Sequence, residues 1–172
     1  AANAPHVQFA GPVSCIRSLK EHGIPGDRQH MLSAGDVRQF DGFSLRAVYA
    51  DHGNLEPDGV GIVLESEGIK IYHTGDTCYC PERMREVIGL KPDVIIPCIN
   101  GTFGNLNGIE AARLAADVGA NVAIPAHFWF FVGQNLKAEG TPAAFLQACQ
   151  KHAPRTEPVI LCVGEPYLYG KR

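Results

Sequence analysis

The run Ile69-Lys70-Ile71-Tyr72-His73-Thr74 alternates apolar and polar positions and reads as a strand with one buried face. It pairs with residues 59–65 as a hairpin around Glu67-Gly68. Upstream, residues 36–40 and 43–50 flank Asp41-Gly42, the strongest short hairpin signal in the chain. Residues 6–10 form a short apolar strand, and 26–35 a loop with a brief strand near Met31.

Helical signals alternate with short apolar runs. Gly11-Pro12 opens a helix to about His22, stopped by Gly23, and Val13, Ile16, Leu19 and Lys20 share helical spacing. That spacing predicts a face laid on a sheet. Residues 81–90 are helical. Asn107 with Glu110 forms a capping box for a helix ending at Gly119. Thr141-Pro142 opens the last helix, to about His152. Residues 93–97 and 121–125 read as buried strands, and 157–163 and 166–169 as closing strands. Hairpins followed by strand–helix units predict one α/β (α+β) domain with a mixed sheet under helices.

Composition narrows the function. The 172 residues allow one domain with a core, and 45% hydrophobic with 19% charged residues is globular. A formal net charge of −3 and no basic block exclude an electrostatic footprint for nucleic acid. No apolar run of about 18 residues spans a membrane. Six cysteines, with Cys78-Tyr79-Cys80 as C-x-C, suit free thiols in a reducing cytosol rather than a disulfide scaffold. The first residues lack a charged start and a long apolar stretch, which argues against a signal peptide. The expected location is cytoplasmic. A start without Met fits a processed or truncated piece.

Three strands end in chemistry. Asp51-His52-Gly53 follows one, Gly75-Asp76 follows the strand ending at Thr74, and Pro125-Ala126-His127 follows a third. Strand tips suit a metal site, because a sheet fixes the backbone while loops carry ligands. Histidine supplies neutral nitrogen, and aspartate an anionic oxygen able to bridge two ions. Gly75 lets the chain turn sharply, so that the Asp76 carboxylate points into the site.

In this order, His52, Asp76 and His127 resemble the later motifs of the metallo-β-lactamase superfamily of metal-dependent hydrolases. Tyr72-His73-Thr74-Gly75-Asp76-Thr77 and Leu106-Asn107-Gly108-Ile109-Glu110-Ala111 look most like the branch containing ascorbate-6-phosphate lactonase, over residues 6–169. The resemblance implies an αββα sandwich with its N-terminal part missing. The family's first motif, H-x-H-x-D-H, does not occur here, and His6, His22 and His30 lack its spacing. The resemblance also implies divalent metal ions, manganese or zinc, two in the complete domain. His52, Asp76 and His127 would be ligands, with Asp76 the bridging, catalytic carboxylate.

The Gly- and Asn-rich residues 98–107, leading into a helix N-terminus, offer donors to an anion. Asn100, Gly101, Asn105 and Asn107 are the candidate substrate contacts. Phe128-Trp129-Phe130-Phe131 can wall a pocket or an interface. Cys78 and Cys80 lie close enough in sequence to reach the site, though free thiols fit them better. His73 reads as a strand residue. The expected partner is a small anionic molecule, with no nucleic acid or membrane, and a homo-oligomer stays open. The leading expectation is a lactonase of a sugar-acid phosphate. An RNA-processing phosphodiesterase of the same fold and a non-catalytic assembly module are the alternatives.

Overall fold

The computed structural model describes residues 4–128 and 138–170. The two expected hairpins form as strands β3 (Val37–Phe40), β4 (Phe43–Tyr49), β5 (Val60–Ser66) and β6 (Ile69–His73). Gly42 and Gly68 occupy the left-handed positions of their turns. Strands β7 (Val94–Ile96), β8 (Val122–Ala123) and β9 (Glu157–Pro158) then add in parallel. The result is a seven-stranded mixed sheet in order β3-β4-β5-β6-β7-β8-β9. A separate two-stranded parallel sheet joins β1 (Phe9–Gly11) to β2 (Gln29–Met31).

The register assigns the faces. Val48, Gly61 and Val63, with Tyr72 and Ile95, lie on one face and are buried. Leu45, Leu64 and Ile71 lie opposite and are half-buried. The buried face packs on helices α2 (Arg85–Leu90), α3 (Gly108–Val118) and α4 (Pro142–His152) through one core that includes Met84, Val87, Leu114 and Phe145.

Helix α3 begins at a complete capping box. Asn107 Oδ1 accepts from the Ile109 and Glu110 amides, and Glu110 accepts from the Asn107 amide. It ends at left-handed Gly119. Ala111, Ala112 and Ala115 are buried, and such short side chains let the helix approach its neighbours closely.

Several boundaries differ from the sequence reading. Helix α1 (Val13–Glu21) forms but buries no residue fully; Ile16 and Leu19 are half-covered and Val13 is exposed. The helix expected over 81–90 starts at Arg85, because the Arg83 and Met84 amides close a turn on the Cys80 carbonyl. Strands β7 and β8 are short because Pro97 and Pro125 lack amide donors, although the Ala126 amide still reaches the Pro97 carbonyl. Strand β9 stops at Pro158, and 166–169 forms no strand. The tail instead folds on local bonds between Cys162 and Glu165. No described helix is long and apolar enough to cross a membrane. The six cysteines are free thiols.

Candidate metal centre

β4, β6, β7 and β8 run in the same direction, so the loops after their C-terminal ends meet at one end of the sheet. His52 follows β4, Asp76 follows β6, residues 98–107 follow β7, and His127 follows β8.

Two buried threonines stitch these loops together. The Asp51 amide donates to Thr77 Oγ1 at 2.9 Å, and the Cys78 amide donates to the Asp51 carbonyl at 2.9 Å. The Leu106 amide donates to the Thr77 carbonyl at 2.8 Å. Thr74 Oγ1 accepts from the Cys98 amide at 3.1 Å and donates to the Gly75 carbonyl at 2.7 Å. Sequence reasoning missed both threonines. Their placement on either side of Gly75-Asp76 was the available signal, since a hydroxyl can satisfy loop amides that no strand partner reaches.

Gly75 turns as expected, at φ 63°. A Cβ there would stand 2.9 Å from the Val60 carbonyl oxygen, so glycine is required on steric grounds as well. The His73 ring fixes this turn by accepting the Gly75 amide at 3.0 Å through Nδ1. Burial of the ring lowers the His73 pKa, and the nearby Asp76 charge raises it by less.

The three predicted ligands come together around Asp76. His127 Nδ1 lies 3.1 Å from Asp76 Oδ1, and His52 Nε2 lies 3.9 Å from Asp76 Oδ2. His127 itself sits at φ 59°, a left-handed conformation that costs a β-carbon residue roughly 1–2 kcal/mol. Among the described residues, no three His, Cys, Asp or Glu side chains already close into a metal cluster; the arrangement is two pairs sharing Asp76.

The donor chemistry nonetheless fits a divalent ion. The His52 side chain is 9% exposed, and both ring nitrogens are buried without a hydrogen-bond partner. Its approach to Glu56, at 3.8 Å, is too long for a hydrogen bond. Leaving such nitrogens unpaired is costly in a folded protein. A neutral imidazole nitrogen can donate its lone pair to a divalent ion, and a carboxylate beside it adds an anionic oxygen.

Asp51 carries a second network, which the sequence reading did not pick out. Its carboxylate accepts from the Gly53 amide and the Tyr49 hydroxyl, both at 2.9 Å, with Arg83 at 3.5 Å. The Gly53 amide, then Tyr49, hold the Asp51 carboxyl below the usual range. Burial, then the bond to Asp51, push the Tyr49 phenol up to about 12. The Arg83 guanidinium covers the Tyr49 ring at 4.2 Å. Burial and the Asp51 charge raise the Cys78 thiol, which disfavours a thiolate there.

The candidate substrate contacts divide. Asn107 Oδ1 is committed to the α3 cap, and the helix N-terminus is closed: a Cβ on Gly108 would meet the Glu139 carbonyl at 2.8 Å. Gly101, at φ 63°, packs closely on Asn107. Asn105 donates to Asp76 Oδ2 at 3.2 Å. Asn100 is fully buried with neither amide atom partnered, and Asn105 Oδ1 and Thr102 Oγ1 are also buried and unpaired. Phe128 is buried, whereas Trp129, Phe130 and Phe131 lie outside the described residues.

The mixed sheet gathers two histidines and an aspartate past its strand ends. The chain belongs to the β-lactamase superfamily: residues 3–128 match the model of the β-lactamase superfamily domain, and the fold is the metallo-β-lactamase fold. A "UPF0173 metal-dependent hydrolase" of Archaeoglobus fulgidus is 32% identical over 93% of this chain and 72% of its own length. A relative of the same description from Chloroflexus aurantiacus is 35% identical over 61% of this chain, and the match spans less than half of that protein, 42%. Igni18, described as a metallo hydrolase of the archaeon Ignicoccus hospitalis, superposes with a TM-score of 0.79 at 20% identity. That superposition covers 96% of this chain and 70% of Igni18.

Proposed function

We propose that this domain is part of a metal-dependent hydrolase acting on a small anionic ester, with a lactone of a sugar-acid phosphate as the substrate class. The observation that carries the metal part is the buried, unpartnered imidazole of His52 beside Asp76, with His127 on the other carboxylate oxygen. His52, Asp76 and His127 would hold divalent metal, manganese or zinc, with two ions in the complete site. The H-x-H-x-D-H run that supplies further ligands in the family is not in this sequence.

A divalent ion supplies Lewis acidity that polarises a carbonyl and makes water nucleophilic at neutral pH. The chain's own residues orient the reaction. Gly75 and the two threonines fix where the Asp76 carboxylate stands. Asn100 and Thr102 hold buried, unpaired polar groups in the loop after β7. Arg83, whose guanidinium stands 3.5 Å from Asp51 Oδ2, would place positive charge near the His52 loop.

The test is hydrolysis by the manganese- or zinc-loaded protein of a sugar-acid lactone phosphate, compared with bis(p-nitrophenyl) phosphate. Lactone opening that disappears in Asp76→Ala supports the reading. Cleavage of the phosphodiester alone would replace it with a phosphodiesterase.

A further inference from the structure

We propose that Asn105 is a positioning residue for this site: its side-chain amide holds the Asp76 carboxylate in the orientation that His127 meets. This rests on the metal-site reading above. Asn105 Nδ2 lies 3.2 Å from Asp76 Oδ2 and 3.5 Å from His127 Nδ1, while His127 Nδ1 lies 3.1 Å from Asp76 Oδ1.

Chemistry settles the direction of the amide. A carboxylate only accepts, so the group facing it must be the NH₂; the flipped amide would set oxygen against oxygen. Asn105 therefore donates to Oδ2, which His52 also approaches at 3.9 Å, and His127 faces Oδ1. Such partners of a ligating carboxylate hold its orientation and are felt in metal affinity.

The loop presents Asn105 independently of that contact. Phe103 and Gly104 both have positive φ and make a tight turn. The Asn105 amide closes it on the Thr102 carbonyl at 3.0 Å, and buried Leu106 ties it to Thr77. Among the described residues, no bond that closes this loop uses the Asn105 side chain. Yet that side chain belongs to a residue only 6% exposed, with its Oδ1 unpaired. Burying an amide this way is costly unless its N–H has work at the carboxylate.

The test uses the whole 172-residue chain. In metal-free protein, the Asn105 side-chain NH₂ cross-peaks in a ¹H–¹⁵N NMR spectrum are compared between wild type and Asp76→Ala. The proposal expects them to move toward free-amide positions when the carboxylate is removed. Titration with Mn²⁺ and Zn²⁺ is then expected to show about 10–100-fold weaker binding in Asn105→Ala, on protein whose circular dichroism shows the wild-type fold. Unmoved cross-peaks, or wild-type affinity in Asn105→Ala, would overturn it. Wild type that binds neither ion would sink the metal reading instead, and the NMR comparison alone would then decide the Asn105–Asp76 contact.

Discussion

His127 directs Nδ1 to within 3.1 Å of Asp76 Oδ1 from a left-handed backbone position. The two residues come from different loops, and the chain accepts local strain where they meet. Strain held beside a polar cluster points to function rather than to packing.

Gly75→Ala should damage both stability and the site. The new Cβ would meet the Val60 carbonyl oxygen at 2.9 Å, on a backbone of φ 63°. The left-handed penalty alone is roughly 1–2 kcal/mol, and the backbone clash adds to it. We expect a clearly lower urea midpoint. An unchanged midpoint would show that the Gly75-Asp76 turn is less constrained than its geometry implies.

Thr77→Val should cost about 1–3 kcal/mol, because it leaves the Asp51 amide without its acceptor in a buried setting. Thr77→Ser keeps the hydroxyl and should recover most of the loss. Chemical denaturation of both variants distinguishes a hydrogen-bonding role from simple packing, in which valine would be the better substitute.

The fold was legible where local chemistry and tertiary structure agree. Asp41-Gly42, the Asn107–Glu110 capping box and Thr141-Pro142 each fixed an element, because turn and cap residues act within a few positions. The ordered set His52, Asp76 and His127 was legible for a similar reason, each standing just past a strand end. What escaped was set by distant partners. Thr74 and Thr77 gain their importance only when the loops after β4, β6 and β7 meet. The approach of the Asn105 amide to Asp76 likewise depends on loops that meet only in the fold. Of the two closing strands expected, the first formed only as Glu157–Pro158 and the second, which Pro166 would have to open without an amide donor, did not form.

His73 should make stability depend on pH. Its pKa is lowered in the folded state, so the unfolded chain binds more protons once pH falls toward 6.5 and below. The His73 contribution is therefore fully present above pH 6.5 and is lost as pH falls through the folded value. Melting temperatures across this window should fall less steeply in His73→Gln than in wild type. Parallel curves would remove His73 from the account.

Phe145 is fully buried where α4 meets the core under the sheet. Phe145→Ala should cost about 3–5 kcal/mol, read from denaturant unfolding. A cost near zero would mean that α4 is not packed as described.

A metal centre at Asp76 is tested most directly by native mass spectrometry of wild type and Asp76→Ala after exposure to Mn²⁺ or Zn²⁺. We expect wild type to retain divalent metal and Asp76→Ala to retain none. Equal retention in both, or none in wild type, would contradict a metal centre built on His52, Asp76 and His127.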